Sequence, residues 1–132
     1  MTETTGTSHP SGDVYDWYVR GRELLRSGNP AAAAALLSRA SAAEPASRQL
    51  REALGRAQYA SGDYPGARAN FDLLVEADPA DDYARFGLGI SALRTGDVGL
   101  AVASLTLAVA MRPDNADYSR ALTRARATAG RR

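Results

Sequence analysis

The stretch of sequence that decides the fold is residues 48–81, RQLREALGRAQYASGDYPGARANFDLLVEADPAD. Its landmark residues recur 34 positions earlier and 34 positions later in the chain. The series that share this spacing are Gly21, Gly55 and Gly89; Gly28, Gly62 and Gly96; Ala33, Ala67 and Ala101; Leu37, Phe71 and Leu105; and Pro45, Pro79 and Pro113. Five series in one register indicate a supersecondary unit that is repeated three times and stacked.

Each unit carries the start and stop signals of two helices. A glycine such as Gly62 can adopt the left-handed conformation that ends a helix. The next residue, Asp63 here and Asn29 or Asp97 in the other copies, can accept hydrogen bonds from the free amides of a second helix. Pro79 stops that second helix because proline has no amide hydrogen. The pattern predicts helices at about 14–27, 30–43, 48–61, 64–77, 82–95, 98–111 and 116–128.

Small residues recur where the two helices of one unit have to meet. Gly55 and Ala67 have little or no side chain, so two antiparallel helices can approach closely there. Apolar residues recur at three- and four-residue spacing, as at Leu50, Leu54 and Ala57, which places them on one helix face. We expect this face to form the core.

This chain resembles the tetratricopeptide repeat family, whose pattern runs Trp, two residues, Leu-Gly, two residues, Tyr, later Ala, three residues, Phe and then Pro. The matching residues are Trp17, Gly21, Leu24, Ala33, Leu37, Ala40 and Pro45 in the first copy, Leu54, Gly55, Ala67, Phe71 and Pro79 in the second, and Leu88, Gly89, Ala92, Ala101, Leu105, Ala108 and Pro113 in the third. The sequence departs from the pattern at Arg20, Arg51, Arg85 and Gln58. The resemblance implies an all-α fold, a right-handed superhelical α-solenoid of antiparallel helix hairpins.

The domain boundaries follow from the repeat. We predict a disordered lead-in at 1–13, a repeat domain at 14–129 with repeats at about 14–47, 48–81 and 82–115 and a capping helix at about 116–128, and a basic tail at 130–132. The capping helix is expected because the last repeat of a solenoid otherwise leaves an apolar face in water. The lead-in has neither the basic start nor the apolar core of a secretory signal, which predicts a cytoplasmic protein.

Composition argues against catalysis and against a cofactor or metal site. The chain has no cysteine, one histidine (His9) and no lysine among its 16 basic residues. Asp81 and Asp82 follow Pro79, where they are better explained as helix-capping residues than as an acid/base pair. A Gly-x-Gly-x-x-Ala run at Gly87 lies inside a predicted helix and lacks the preceding strand of a dinucleotide site. A net charge of +1 does not favour nucleic-acid binding.

Function is expected on the concave surface, which the resemblance assigns to the first helix of each pair. The predicted groove residues are Tyr15, Tyr18, Arg22, Gln49, Glu52, Arg56, Tyr59, Tyr83, Phe86, Ile90, Leu93, Arg120 and Arg124, with Leu25 and Asp117 on the same faces. Tyrosine, phenylalanine and arginine are typical of protein-binding hot spots. Phe86, Ile90 and Leu93 are expected to form an exposed apolar patch. For any single residue, packing between repeats explains its position equally well.

The sequence therefore predicts a non-catalytic adaptor or chaperone-like binding module, whose partner is a protein or peptide with acidic and apolar residues. A subset of the family grips a terminal carboxylate with Lys, Asn and Arg, and this chain does not match it: the corresponding places hold Tyr18, Arg22, Ala53, Tyr83 and Gly87. Self-association into a homo-oligomer is the alternative. No membrane contact is predicted.

Overall fold

The computed structural model describes residues 10–131, where all the regular structure is helical. The helices are α1 (Pro10–Arg26), α2 (Pro30–Ala43), α3 (Arg48–Ser61), α4 (Tyr64–Ala77), α5 (Asp82–Arg94), α6 (Val98–Met111) and α7 (Ala116–Gly130). They form three antiparallel hairpins followed by a single helix. Within the described range, no helix has both the length and the apolar character needed to span a membrane.

The helix bounds differ from the sequence prediction mainly at the two ends. Helix α1 begins at Pro10, so residues 10–13, which we assigned to a disordered lead-in, are helical. Proline is tolerated in a first turn, and the carboxylate of Asp13 there interacts favourably with the helix dipole. Residues 1–9, including His9, lie outside the described residues. At the other end α7 includes Gly130, which we had placed in the basic tail.

The turns inside the hairpins form as predicted, with one exception. Gly28, Gly62 and Gly96 all have positive φ, between 87° and 91°. The Asp63 carboxylate accepts a hydrogen bond from the Gly66 amide at 3.0 Å, which caps α4. Asp97 caps α6 by the same kind of bond. Asn29 does not cap α2 through its side chain.

The Asn29 side chain bonds to the end of α1 instead of to the start of α2. Its Nδ2 donates to the Ser27 Oγ at 3.2 Å, back towards the end of α1. Since α2 opens with Pro30, one of its first-turn positions has no amide hydrogen to satisfy.

The glycines facing the second helices are required by close packing. A Cβ atom at Gly21 would lie 2.6 Å from Leu37 Cγ, and one at Gly89 would lie 2.6 Å from Leu105 Cγ. Both leucine side chains are fully buried. The predicted role of these glycines in helix approach is therefore confirmed.

The hairpins stack in chain order, and each junction buries its own apolar cluster. The cluster between the first two hairpins contains Leu37 from α2 and, from α3, Leu50, Leu54 and Ala57. Similar clusters join the second hairpin to the third, and the third to α7. Helix α7 therefore covers the last hairpin as the capping helix was predicted to do.

Three positions on the outward face of the first hairpin are polar, while Val19 on the same face is apolar and exposed. Asp16, Arg20 and Glu23 stand 34 residues before Leu50, Leu54 and Ala57. All three polar side chains are exposed, whereas their three counterparts are buried against the preceding hairpin. We call Asp16, Arg20 and Glu23 the first end face.

A polar network occupies the second hairpin where the sequence departs from the family pattern. Arg51 Nη1 donates to Asn70 Oδ1 at 3.0 Å, and Asn70 Nδ2 donates to Gln58 Oε1 at 2.7 Å. Arg51 Nη2 also donates to the Pro45 carbonyl oxygen at 2.9 Å. These bonds replace the aromatic packing expected of the pattern, because Arg51 stands where the first copy has Trp17.

Candidate binding groove

The first helices of the hairpins lie side by side and form one surface of the molecule. Helices α1, α3, α5 and α7 contact one another in this order, in addition to their contacts with α2, α4 and α6. Three open cavities lie between them or at their ends, and most predicted groove residues line these cavities.

The largest of the three, here called the groove cavity, joins α1, α3 and α5. It encloses about 230 Å³. Its walls are Leu25, Arg56, Tyr59, Ala60, Phe71, Tyr83, Gly87 and Ile90. Four predicted groove residues, Arg56, Tyr59, Tyr83 and Ile90, therefore come together around one hollow. Phe71 was not predicted there, because it belongs to a second helix and reaches the cavity floor through the gap left by Gly87.

A second hollow, the arginine cavity, lies beside the groove cavity and shares Leu25 and Arg56 with it. It encloses about 190 Å³, and its other walls are Arg22 and Arg26. Arg26 was not predicted as a groove residue. The ion pairs formed between described residues involve other arginines. Arg22 makes a cation–π contact, its guanidinium carbon 5.5 Å from the Tyr18 ring centre.

Three more predicted residues of the first two hairpins lie at the opposite end of the helices. Tyr15, Tyr18 and Gln49 line a third cavity of about 200 Å³, together with Val14, Glu44, Ser47 and Leu50. Tyr15 is 65% exposed. These residues are thus brought together, but around a hollow separate from the groove cavity.

The prediction that Phe86, Ile90 and Leu93 form an exposed apolar patch is wrong. All three side chains are only partly exposed and pack against the cluster that joins the third hairpin to α7. The Phe86 ring stacks on the ring of Tyr118, with centroids 4.8 Å apart. The sequence predicted that α7 would cap the third hairpin, but not that these three residues would take part in the contact.

A polar contact fixes α7 at this junction. The Tyr118 hydroxyl donates to Asp82 Oδ2 at 2.6 Å, and Arg112 Nε lies 3.8 Å from the same oxygen. Burial raises the pKa of Tyr118 above its ordinary range, and the hydrogen bond to Asp82 raises it further. Asp82 is therefore a docking residue for α7, whereas the sequence suggested only helix capping.

Asp81 does act as the predicted cap. Its Oδ1 accepts from the Ala84 amide at 3.0 Å. The same side chain is also paired with Arg48, 2.6 Å from Oδ2 to Nη2, across the junction between the second and third hairpins. In the described part of the chain, no group of three or more His, Cys, Asp and Glu side chains could hold a metal ion.

An aromatic cluster forms the rim of the groove cavity. Tyr59 and Tyr64 meet edge to face with centroids 5.1 Å apart. Arg94 lies over the Tyr64 ring at 4.9 Å and donates to the Tyr64 hydroxyl at 3.1 Å. The sequence did not identify Arg94 or Tyr64, since their contact joins helices 30 residues apart.

Glu52 is the acidic member of the predicted set on α3. Burial raises the pKa of Glu52, and repulsion from Asp81 raises it further, while Arg56 and Arg48 act in the opposite direction. Burial also raises the pKa of Tyr83, which lies near Arg56. A negative charge at Glu52 is thus less favourable here than in water.

The two predicted arginines of α7 are exposed. Arg120 forms an ion pair with Asp117 one turn earlier. Arg124 is exposed on the same helix, one turn beyond Arg120. The structure therefore places strong positive charge in the arginine cavity and a partly neutralised pair on α7.

The chain matches a family model described as tetratricopeptide repeat, over residues 18–82, 53–116 and 86–132. No curated protein sequence matches the chain closely enough to count as a relative.

Solved structures share the fold over nearly the whole chain. A fragment of MamA from Desulfovibrio magneticus RS-1 has a TM-score of 0.85 at 20% identity, over 92% of this chain and 69% of that one. The first TPR domain of Spaghetti (RPAP3), bound to the HSP90 peptide SRMEEVD, has a TM-score of 0.82 at 14% identity, over 91% of this chain and 95% of that one.

An enzyme is also among the similar structures. A mutant O-GlcNAc transferase of Thermobaculum terrenum has a TM-score of 0.77 at 24% identity, over 90% of this chain. This chain corresponds to only 23% of the transferase. At these identities the likeness establishes the fold alone, and it confirms the predicted right-handed superhelical α-solenoid.

Proposed function

This chain belongs to the tetratricopeptide repeat family, and we propose that it is a non-catalytic adaptor that binds another protein, or a peptide segment of one, in its concave groove. The observation that carries the proposal is the groove cavity, an open hollow walled by aromatic, aliphatic and arginine side chains from three consecutive first helices. Such side chains dominate the energetics of protein interfaces. A cysteine-free chain is compatible with action in the cytoplasm.

The surface chemistry supports a partner with acidic and apolar residues. Arg22, Arg26 and Arg56 lie beside the aliphatic and aromatic walls of the groove cavity. Arginine forms forked, charge-assisted hydrogen bonds with carboxylates. A chaperone-type role has support in the similar RPAP3 domain, which is bound to a chaperone peptide.

A crosslinking pull-down from the native host tests this function. Full-length wild-type protein is compared with the Arg56→Glu variant and with Arg126→Glu, which changes an exposed arginine of α7 outside the predicted groove set. We expect a partner that is captured by wild type and Arg126→Glu but lost with Arg56→Glu. Equal capture by all three proteins, with unchanged helicity and melting, would exclude the groove as the binding surface.

Self-association is a second candidate, and the opposite surface favours it. Leu73 on α4 and Leu107 on α6 occupy the same repeat position and are 46% and 43% exposed. Met111 is exposed further along α6, a helix without a charged residue. Light scattering across a dilution series decides this case. A monomer at every concentration would remove it, and a dimer lost on Leu107→Asp would support it.

A further inference from the structure

We infer that the arginine cavity is an anion subsite that binds side-chain carboxylates of a short linear peptide segment. These carboxylates lie directly beside one apolar side chain of the same segment, which binds in the groove cavity. The inference rests on the proposed function and specifies the ligand of the same groove. Its occupant is an acidic peptide segment of a partner protein.

Three arginine side chains from two hairpins line this subsite. Arg22 and Arg26 are one turn apart on α1, so their side chains project from the same helix face. Arg56 reaches the cavity from α3. Its walls contain no acidic residue, and none of the three arginines forms an ion pair with another described residue.

This arrangement is unfavourable for the unbound protein. Like charges one turn apart on a helix destabilise it, and a third positive group across the gap adds to the repulsion. Some arginines elsewhere in the described chain have acidic partners, as Arg48 has Asp81 and Arg68 has Asp97. A bound group of negative charges would reduce the repulsion and supply charged hydrogen-bond acceptors.

The neighbouring hollow explains why the charge should lie next to an apolar residue. Leu25 and Arg56 are walls of both cavities, so the two hollows adjoin without an intervening helix. The groove cavity, at about 230 Å³, suits one bulky side chain rather than several. One extended residue advances a chain by roughly 3.3 Å. The carboxylates should therefore stand within about two residues of the apolar anchor, on one side of it.

Peptide display tests this motif directly. A library of random twelve-residue peptides is selected on full-length wild-type protein and counter-selected on the Arg22→Glu, Arg56→Glu double variant. We expect enriched peptides with two or more Asp or Glu residues adjacent to one Leu, Ile, Phe or Met. Enriched apolar peptides without acidic residues would overturn the inference and leave the proposed function standing. Failure to enrich any peptide would also overturn it, while the crosslinking pull-down would still decide the proposed function.

Titrations with the enriched acidic peptide then separate the two subsites. It is synthesised with an amidated C-terminus, so a terminal carboxylate cannot contribute. We expect affinity to fall about tenfold or more for Arg22→Gln and for Arg26→Gln, and to fall as salt rises. The matched control Arg126→Gln should leave affinity unchanged. Unchanged affinity for Arg22→Gln and Arg26→Gln, or no dependence on salt, would contradict an anion subsite.

Two further measurements distinguish ligand recognition from a structural role. Glu52→Gln should strengthen binding of the acidic peptide, because it removes the negative charge one turn from Arg56. Arg22→Gln should lose affinity without a fall in melting temperature, because it removes like-charge repulsion from the unbound protein. A version of the peptide with one phosphoserine in place of its acidic residues tests the other source of clustered charge. Tighter binding of the phosphoserine peptide than of the carboxylate peptide would overturn the assignment to carboxylates.

Discussion

Ser91 is fully buried on α5, and its Oγ has no hydrogen-bond partner among the described residues. The same repeat position holds Ala57 in α3 and Ala125 in α7, both fully buried. A buried hydroxyl without a partner costs free energy relative to an apolar group that fits the same space. Ser91 is therefore a local weakness in the junction between the second and third hairpins.

We expect Ser91→Ala to stabilise the protein by about 1 kcal/mol, since it removes an unsatisfied hydroxyl and introduces a better helix former. The urea midpoint followed by circular dichroism measures the change. The reverse substitution at the equivalent position, Ala57→Ser, should lower the midpoint. A decrease for Ser91→Ala would show that the hydroxyl has a stabilising partner.

Gly87 and Gly99 give a second matched pair. A Cβ atom at Gly87 would lie 2.5 Å from the buried ring of Phe71, whereas one at Gly99 on α6 would meet nothing within 4 Å. Gly87→Ala should destabilise by about 1–3 kcal/mol through overpacking, and Gly99→Ala should stabilise by about 0.5–1 kcal/mol. Thermal melting compares them. Equal shifts would contradict the close contact at Phe71.

At the scale of single residues, the sequence predicted some residues of the candidate binding groove and missed others, and the reason can be given for each. Arg22 and Arg56 follow from the repeat register, because equivalent positions share a face. Arg26 lies one turn beyond Arg22, so helical spacing could have identified it, but its repeat equivalent is the uncharged Ala60. Phe86 was placed on the correct face, but its stacking on Tyr118 depends on a helix 32 residues away.

Helix bounds are set by local signals, which is why most were predictable. Proline and positive-φ glycine act on their own backbone, so α2, α3, α4 and α6 begin and end where the sequence predicted. The start of α1 was missed because residues before Asp13 lack a clear stop or start signal. Asn29 shows where local signals fail, because its side chain donates to Ser27 Oγ and does not cap the free amides of α2.

Helix α7 depends on one side-chain contact more than the other helices do, because it has no hairpin partner of its own. Tyr118→Phe deletes the hydrogen bond to Asp82 and leaves the ring stacked on Phe86. We expect a loss of about 1–2 kcal/mol, with faster amide hydrogen exchange in α7 than in α3. Tyr15→Phe, at an exposed tyrosine, is the control. Uniform exchange in both helices would mean that α7 does not open separately.

For the whole molecule, we expect the polar residues of the first end face to disfavour the stacking of another hairpin on α1. The variant Asp16→Leu, Arg20→Leu, Glu23→Ala copies the buried residues Leu50, Leu54 and Ala57 onto this face. We expect it to associate to a larger mass than wild type at the same concentration, because it exposes a surface that elsewhere receives a neighbouring hairpin. Size-exclusion chromatography with light scattering measures this. An unchanged mass would mean that the three positions do not control stacking.

At the α7 end of the stack, a different feature opposes the packing of a further helix. Thr123 on α7 stands in register with Gly89 and is exposed, so an additional second helix could not approach α7 as closely as α6 approaches α5. The interior unit, residues 48–81, packs through an apolar cluster against a full hairpin on each side. An array of this kind can lengthen by tandem duplication of its interior unit. Each duplication would add one more first helix to the groove and would leave the residues at the two ends of the stack unchanged.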